Sequence, residues 1–201
     1  MLQKSLFLSF LYGFLVFISS CCNCSNIPTT RYQWTTLEIY QAHYTKDSNG
    51  VLAISADSAP DFTHKNYAIQ GRLQYEFIAR RIPPRLGLGN VAYACKCPLE
   101  KYVALASAGA LRVYTVHYFN RSHPPQSDAT DLFKTLKEDS DKDLQPVKHS
   151  FQEQVNDYAP RGNFDLYLTQ KPERTGTHQF RVEIQLADGT IRSALTPEIQ
   201  L

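Results

Sequence analysis

The sequence predicts an antiparallel all-β fold, and three observations lead to that prediction. The 201-residue chain is 43% hydrophobic and 20% charged, which is typical of a globular protein. Its 12 tyrosines and 11 phenylalanines are residues that favour strands. Apolar and polar residues alternate in several short segments that turn sequences separate. We therefore expect an antiparallel β-sandwich.

The clearest alternation covers residues 66–79, which we predict to be a strand. Gly71 falls on the apolar face of this strand, which predicts a bulge or a close neighbour. Residues 102–111 fit either a strand or a buried helix, because periodicity does not separate the two there. The other members of the apolar face in the predicted strand are Tyr67, Ile69, Leu73, Tyr75 and Phe77.

The C-terminal segment from Thr177 to Leu201 predicts a β-hairpin. Asp188-Gly189 separates an alternating segment from a second strand that starts at Ile191. We expect a tight type I′ turn there, with Gly189 supplying positive φ. The alternating apolar residues are Phe180, Val182, Ile184 and Leu186.

One short helix is predicted near residues 128–137. Asp128 is a suitable N-cap residue, and Leu132, Phe133 and Leu136 would then share one helical face.

The N-terminus has the features of a signal peptide. Lys4 precedes an apolar run, Leu6–Ile18, which is shorter than the roughly 20 residues of a membrane-spanning helix. The run ends in Ile18-Ser19-Ser20-Cys21, which resembles the lipobox of bacterial lipoproteins. That resemblance implies cleavage before Cys21 and a lipid on its thiol. Residues 1–20 would then be the signal peptide, 21–30 a tether and 31–201 a single β-sandwich domain. An ordinary secretory signal and an uncleaved anchor are the alternatives.

A wider resemblance rests on this lipobox, the length of the mature chain that would follow it, the segment Asp128–Phe133 and the C-terminal hairpin. Together they resemble uncharacterised lipoproteins of gut-type Gram-negative bacteria, and the hairpin is similar to the closing hairpin of immunoglobulin-like domains. The resemblance implies an immunoglobulin-like sandwich anchored to the outer membrane by its lipid. No acidic cluster follows Cys21, which favours a periplasm-facing position.

The cysteines leave several pairings open. With Cys21 lipidated, the remaining four allow three connectivities for two bridges. Cysteines two residues apart in a strand have Cα atoms roughly 7 Å apart, so a local bridge is strained in a regular strand. Candidate bridges would link the tether to the Cys95–Cys97 segment, with free thiols as the alternative. The four candidates are Cys22, Cys24, Cys95 and Cys97.

No motif in the sequence predicts a metal or cofactor. Asp139, Asp141 and Asp143 alternate as in an EF-hand, but Leu144 and Ser150 occupy the positions that require glycine and glutamate. None of the histidines forms His-x-His or His-Glu-x-x-His, so a helix-based zinc site is not predicted. The histidines are His43, His64, His117, His123, His149 and His178.

These observations favour a non-enzymatic binding or interaction module. The net charge of +2 gives no electrostatic reason for a nucleic-acid partner. No Gly-x-Ser-x-Gly or phosphate loop occurs, so we do not predict an enzyme, although distant residues could still form a catalytic triad. The alternative function is a glycan- or small-ligand-binding lipoprotein. Its aromatic platform would use tyrosines from the set Tyr93, Tyr102, Tyr114, Tyr118, Tyr158 and Tyr167.

Overall fold

Alternating segments of the chain form strands in the computed structural model, which describes residues 29–55, 62–81, 101–137, 140–147, 160 and 162–201. The elements are β1 (Thr29–Lys46), β2 (Leu52–Ser55), β3 (Tyr67–Arg81), β4 (Lys101–Ala104), β5 (Ala108–Thr115), a 3₁₀ turn (Thr130–Leu132), β6 (Phe133–Leu136), β7 (Leu144–Pro146), β8 (Asn163–Leu168), β9 (Thr177–His178), β10 (Phe180–Leu186), β11 (Ile191–Leu195) and β12 (Ile199–Gln200).

The strands form two main sheets and a two-stranded ribbon. The first sheet has the order β2-β1-β3-β8-β6-β7, and β4 pairs with β1 outside this path. The second sheet has the order β11-β10-β5, and β9 pairs with β12. All pairings are antiparallel except that of β1 with β4. The prediction of an antiparallel all-β fold is confirmed.

One hydrophobic core joins the two sheets. Phe180 of β10 packs edge-on against Phe133 of β6, with ring centroids 5.0 Å apart. Phe180 also stacks on Tyr67 of β3 at 6.2 Å. These contacts bring the second sheet onto one face of the first, as in a sandwich. A smaller cluster of Ala42, Ala68 and Tyr167 is buried elsewhere in the first sheet.

The pairing of the longest strand, β1, with β3 is interrupted twice. Its register against β3 shifts between Arg31 and Tyr32 and again between Trp34 and Leu37. Such shifts free backbone groups from the ladder. At the second shift Arg192 of β11 donates a 3.0 Å hydrogen bond from Nη2 to the carbonyl oxygen of Trp34. This bond ties the second sheet to the irregular stretch of β1 in the first.

Gly71 has the close neighbour that the sequence predicted. It lies between Ile39 of β1 and Phe164 of β8 in the register of the first sheet. A Cβ atom at this position would lie 1.9 Å from the Cζ of Phe164. The Phe164 ring therefore occupies the space that any side chain at position 71 would need.

The predicted C-terminal hairpin is confirmed, with a different turn. β10 pairs with β11, and the four apolar side chains of β10 are buried. Of the turn residues only Gly189 has positive φ, at 86°, whereas a type I′ turn needs two such residues. Leu186 accepts from the Gly189 N–H at 3.0 Å and donates to the Thr190 carbonyl at 2.8 Å. This is the three-residue loop with a glycine bulge, so the type I′ prediction is wrong.

The helix predicted near 128–137 is also largely wrong. Only Thr130–Leu132 is helical, as one 3₁₀ turn, and Phe133–Leu136 is strand β6. Asp128 Oδ1 accepts from the Thr130 backbone N–H at 2.9 Å and caps a turn. In β6 the buried residues are Phe133 and Thr135, which is the alternation of a strand. Pairing with β7 on one side and β8 on the other favours the strand over the helix that the apolar spacing predicted.

Two further observations bear on the ends of the domain. β1 begins at Thr29, so the last two residues predicted for the tether belong to the strand. In the described part of the chain, no helix is long and apolar enough to span a membrane.

Candidate functional site

The strongest candidate site is an open polar depression of about 560 Å³ beside the β9–β12 ribbon. We call it the His178 depression. Three stretches of chain form it: the residues that follow β5, the loop that leads into β9 together with β9 itself, and the residue before β12. Its lining residues are His117, Tyr118, Arg174, Thr175, Gly176, Thr177, His178 and Glu198.

Backbone hydrogen bonds fix these three stretches relative to one another. Val116 donates to the carbonyl oxygen of Gln179 at 2.8 Å, which ties the end of β5 to β9. Ile199 pairs with His178 in the ribbon. Gly176 and Leu201 exchange two hydrogen bonds, of 3.0 and 3.1 Å. The depression is therefore held by main-chain contacts rather than by side chains alone.

His178 is the buried member of the site. Its side chain is only 4% exposed, and its ring packs against Phe119 at 5.4 Å. Burial lowers the pKa of His178, and the neighbouring His117 lowers it further, while a hydrogen bond to the Arg174 backbone opposes both. The neutral ring is therefore favoured in the folded protein.

The Nε2 atom of His178 is buried and has no hydrogen-bond partner in the described structure. The bond to the Arg174 backbone must therefore use Nδ1, as a donor to the carbonyl oxygen. In that tautomer Nε2 carries a lone pair. A buried acceptor without a donor is rare in native proteins and costs about 1–3 kcal/mol, and this atom is too deeply buried to contact a molecule in the depression.

Glu173 holds the rim of the depression. Its Oε2 accepts from the Tyr118 hydroxyl at 2.6 Å and from the Arg121 backbone N–H at 3.2 Å. The Tyr118 hydrogen bond is the main reason that the pKa of Glu173 is lowered, and it raises the pKa of Tyr118. The side chain of Arg121 also lies 3.7 Å from Glu173, but it is 92% exposed, so that pair adds little stability.

Charges of both signs line the depression. The Arg174 guanidinium lies over the Tyr118 ring, 5.9 Å from its centroid. Glu198 lies 3.9 Å from His117, and both side chains are well exposed. A guanidinium and a carboxylate offer hydrogen bonds of both polarities. This combination suits a neutral or zwitterionic ligand that carries several polar groups.

A second histidine is bonded in a way that does not suit catalysis. His123 is 7% exposed, and its Nε2 lies 2.9 Å from Asp131 Oδ1. Its Nδ1 lies 2.9 Å from Asn120 Oδ1, which also accepts from two backbone N–H groups. Both ring nitrogens therefore face acceptors, and neither is left to activate a serine. His123 pins its loop to the 3₁₀ turn.

The structure separates the tyrosines that the glycan hypothesis groups together. Tyr167 is 1% exposed and lies in the smaller cluster, so its place in a platform is wrong. Tyr102 stacks on Phe77, and Arg181 covers Tyr114 at 4.9 Å. Of the four tyrosines in this set that the structure describes, only Tyr118 lines the His178 depression. Tyr93 and Tyr158 lie outside the described residues.

The predicted lipidation and disulfide residues are not in the described part of the chain. These are Cys21, Cys22, Cys24, Cys95 and Cys97, and their roles stay predictions. Asp139 also lies outside it. Asp143 accepts from the Ser140 hydroxyl at 3.1 Å, so the acidic turn is closed by its own hydrogen bonds. Among the described residues no three His, Cys, Asp or Glu side chains are grouped so that they could hold a metal.

Sequence reasoning singled out Tyr118 but missed His178, Arg174 and Glu198 as a group. They come from separate stretches of chain and form no spacing motif, so the only signal was a set of unassigned histidines. Comparison of the chain with protein-family models, curated proteins and solved structures finds no match.

Proposed function

We propose that this chain is a cell-envelope lipoprotein that works as a non-enzymatic binding or interaction module. Its lipid would be attached to Cys21, and the β-sandwich domain would face the periplasm from the outer membrane. The supporting observation is the lipobox-like sequence Ile18–Cys21 directly behind the apolar run.

The experiment compares the unaltered chain with Cys21→Ala in a Gram-negative host. Acyl labelling and mass spectrometry of the N-terminal peptide are the measurements. We expect the unaltered protein to be cleaved before Cys21, acylated and recovered with membranes. The variant should be neither acylated nor cleaved at that bond. Cys22→Ala is the matched control and should behave as the unaltered protein does. Equal acylation of all three chains would refute the anchor.

A second candidate function, glycan or small-ligand binding, is favoured by one observation. The charged Arg174 and Glu198 side chains and Tyr118 line one open polar depression. Sugar hydroxyls would donate to the Glu198 carboxylate and accept from the Arg174 guanidinium. Titration with a panel of mono- and oligosaccharides, followed by histidine NMR, is the test. We expect a bound sugar to shift the His178 signals more than those of His64. Unchanged His178 signals across the panel would exclude saccharides at this site.

A further inference from the structure

The edge strand of the second sheet, β11, is unpaired on one side. In the part of the chain that the structure describes, β11 pairs with β10 alone. The opposite edge of this sheet, β5, is covered by the chain that follows it, because Ala129 donates to the Val113 carbonyl and Gln126 to the Thr115 carbonyl, both at 2.7 Å. The second sheet therefore has one open edge, Ile191–Leu195, and a row of unpaired backbone groups is a template for another strand.

Hydrogen bonds at both ends of β11 show which of its backbone groups face the open edge. The Thr196 N–H donates to the Phe180 carbonyl at 2.8 Å, and the Leu186 N–H donates to the Thr190 carbonyl at 2.8 Å. Because bonded and non-bonded pairs alternate along an antiparallel ladder, the even-numbered residues of β11 bond to β10. The N–H and C=O groups of three residues therefore point away from the sheet: Ile191, Ser193 and Leu195.

The same three residues carry exposed side chains. β10 buries its even-numbered side chains, and the register places these three residues opposite its odd-numbered ones, on the outer face. Ile191 and Leu195 are accordingly 55% and 54% exposed, and Ser193 is exposed as well. Arg192 lies on the inner face, where its Nη2 donates to the Trp34 carbonyl at 3.0 Å. The open edge therefore presents two large apolar side chains, and its one charge is held on the other face.

Features that usually protect a sheet edge are missing from this strand. Natural edges carry lysine, proline or a bulge, and none of these occurs between Ile191 and Leu195. The open stretch ends just beyond the strand, where Gln41 Nε2 donates to the Pro197 carbonyl at 2.8 Å. A partner strand would thus bond to the three outward-facing residues and no further.

A second copy of β11 fits this edge in an antiparallel register centred on Ser193. Ser193 then lies opposite Ser193 of the second copy, and Ile191 lies opposite Leu195. All three outward-facing residues gain hydrogen bonds, and each apolar side chain meets another apolar side chain on the same face. A two-fold axis passes between the two serines, so the contact closes as a dimer and does not extend into a fibre.

The neighbouring two-fold registers fit less well. Centring the pair on Arg192 sets two arginines directly opposite each other, which is unfavourable. Centring it on Ala194 places Ile191 opposite Pro197, which has no N–H to donate.

From these observations we propose that β11 pairs with β11 of a second copy, in the register centred on Ser193, and joins two three-stranded sheets into one of six strands. Each Ile191 packs beside Leu195 of the other copy, which removes the exposed apolar side chains of the edge from water. The contact is small, so the dimer is weak and its fraction rises with protein concentration. It does not require a lipid on Cys21, so this pairing and the proposed anchor fail separately.

Photo-crosslinking in cells tests this pairing. A benzophenone amino acid replaces Leu195 in the full-length protein, produced in a Gram-negative host. After irradiation, denaturing gel electrophoresis measures the covalent dimer, and mass spectrometry locates the crosslink. Arg112 is the matched control position, because it is exposed on the same outer face but lies two strands from the open edge. We expect at least fivefold more dimer from position 195 than from position 112, with the crosslink at Ile191.

Ser193→Pro, combined with the probe at position 195, tests the backbone bonds. The Ser193 N–H points away from β10, so proline removes no bond within the molecule and the melting temperature should stay close to that of the unaltered protein. The covalent dimer should fall at least fivefold. Ser193→Ala keeps the N–H and should crosslink as the unaltered protein does. Should Ser193→Pro fold poorly, Ile191→Lys takes its place, because it adds a charge at an exposed position inside the contact.

Three results would overturn the proposal. The first is equal or absent dimer at positions 195 and 112. The second is undiminished dimer in a folded Ser193→Pro or Ile191→Lys protein. The third is a crosslinked product that contains another protein in place of a second copy, since this would assign the edge to a different partner.

Discussion

At the scale of single residues, His178 links the stability of the domain to pH. Burial of its ring lowers its pKa in the folded protein relative to the ordinary value of 6.5. As pH falls below about 6.5, the unfolded chain takes up this proton before the folded chain does. The stability that the neutral ring contributes is therefore complete above the ordinary pKa and is lost as pH falls through the lowered one.

We therefore expect the unfolding free energy of His178→Phe to fall less on acidification than that of the unaltered protein. Phenylalanine keeps an aromatic ring against Phe119 and does not titrate. Urea unfolding midpoints at pH 7.5 and pH 5.5, compared between the two proteins, are the measurement. His64→Gln is the control for removal of a more exposed histidine whose pKa is also lowered. An unchanged pH dependence in His178→Phe would contradict the buried neutral ring.

Residues of this kind could not be found from the sequence. Whether a histidine is buried depends on what packs against it, and the ring partner of His178, Phe119, is remote in sequence. Gly71 differs, because its place on an apolar strand face already indicated a close neighbour. Tyr167 shows the opposite error, since a strand tyrosine is equally consistent with a platform and with the core.

At the scale of elements, the pairing of β3 with β8 depends on Gly71. Gly71→Ala would push a methyl group into the Phe164 ring, so the ring must leave its position. We expect a loss of about 1–3 kcal/mol of unfolding free energy, the usual cost of overpacking. Gly176→Ala is the matched control, because nothing lies within 4 Å of the added Cβ there. Urea denaturation is the measurement.

A double variant separates the steric cost from the intrinsic effect of replacing glycine. Gly71→Ala combined with Phe164→Leu should be more stable than the sum of the two single changes predicts, because the smaller side chain makes room for the methyl group. Additive effects would show that the Phe164 contact does not cause the loss.

Local elements were predictable and non-local ones were not. The β10–β11 hairpin is encoded locally by alternation and Asp188-Gly189, although the turn type differs. In residues 128–137 the apolar spacing fits a helix, and only the neighbours β7 and β8 select a strand at Phe133–Leu136. The parallel pairing of β4 with β1 joins segments that β2 and β3 separate along the chain, and no local pattern signals it.

At the scale of the whole molecule, the C-terminal residues complete the core. β10 is the central strand of the second sheet, and its four buried side chains face the first sheet. Burial of each is worth about 1.5–3 kcal/mol, against a total stability of about 5–15 kcal/mol for a domain. We expect deletion of residues 177–201 to abolish cooperative unfolding in circular dichroism melts.

Two point variants test the same dependence without deletion. Val182→Asp places a carboxylate at a fully buried position and should lower the melting temperature sharply or prevent folding. Gln185→Asp places the same carboxylate on the exposed face of the same strand. Its melting temperature should be close to that of the unaltered protein. A deletion that still melts cooperatively near the parent temperature would place the hairpin outside the core.

The partners of β1 also dictate the order in which the first sheet closes. At its far end Lys46 meets Leu52 across a short turn, whereas at its near end Thr29 meets Lys101 across a much longer stretch of chain. Loop-closure entropy makes the second contact costlier by about 2 kcal/mol. We therefore expect β1 to pair first near Lys46 and last near Thr29. The end that pairs last should also open first. Amide hydrogen exchange along this one strand would then accelerate steadily towards the N-terminus, so that the residues next to Thr29 are the least protected.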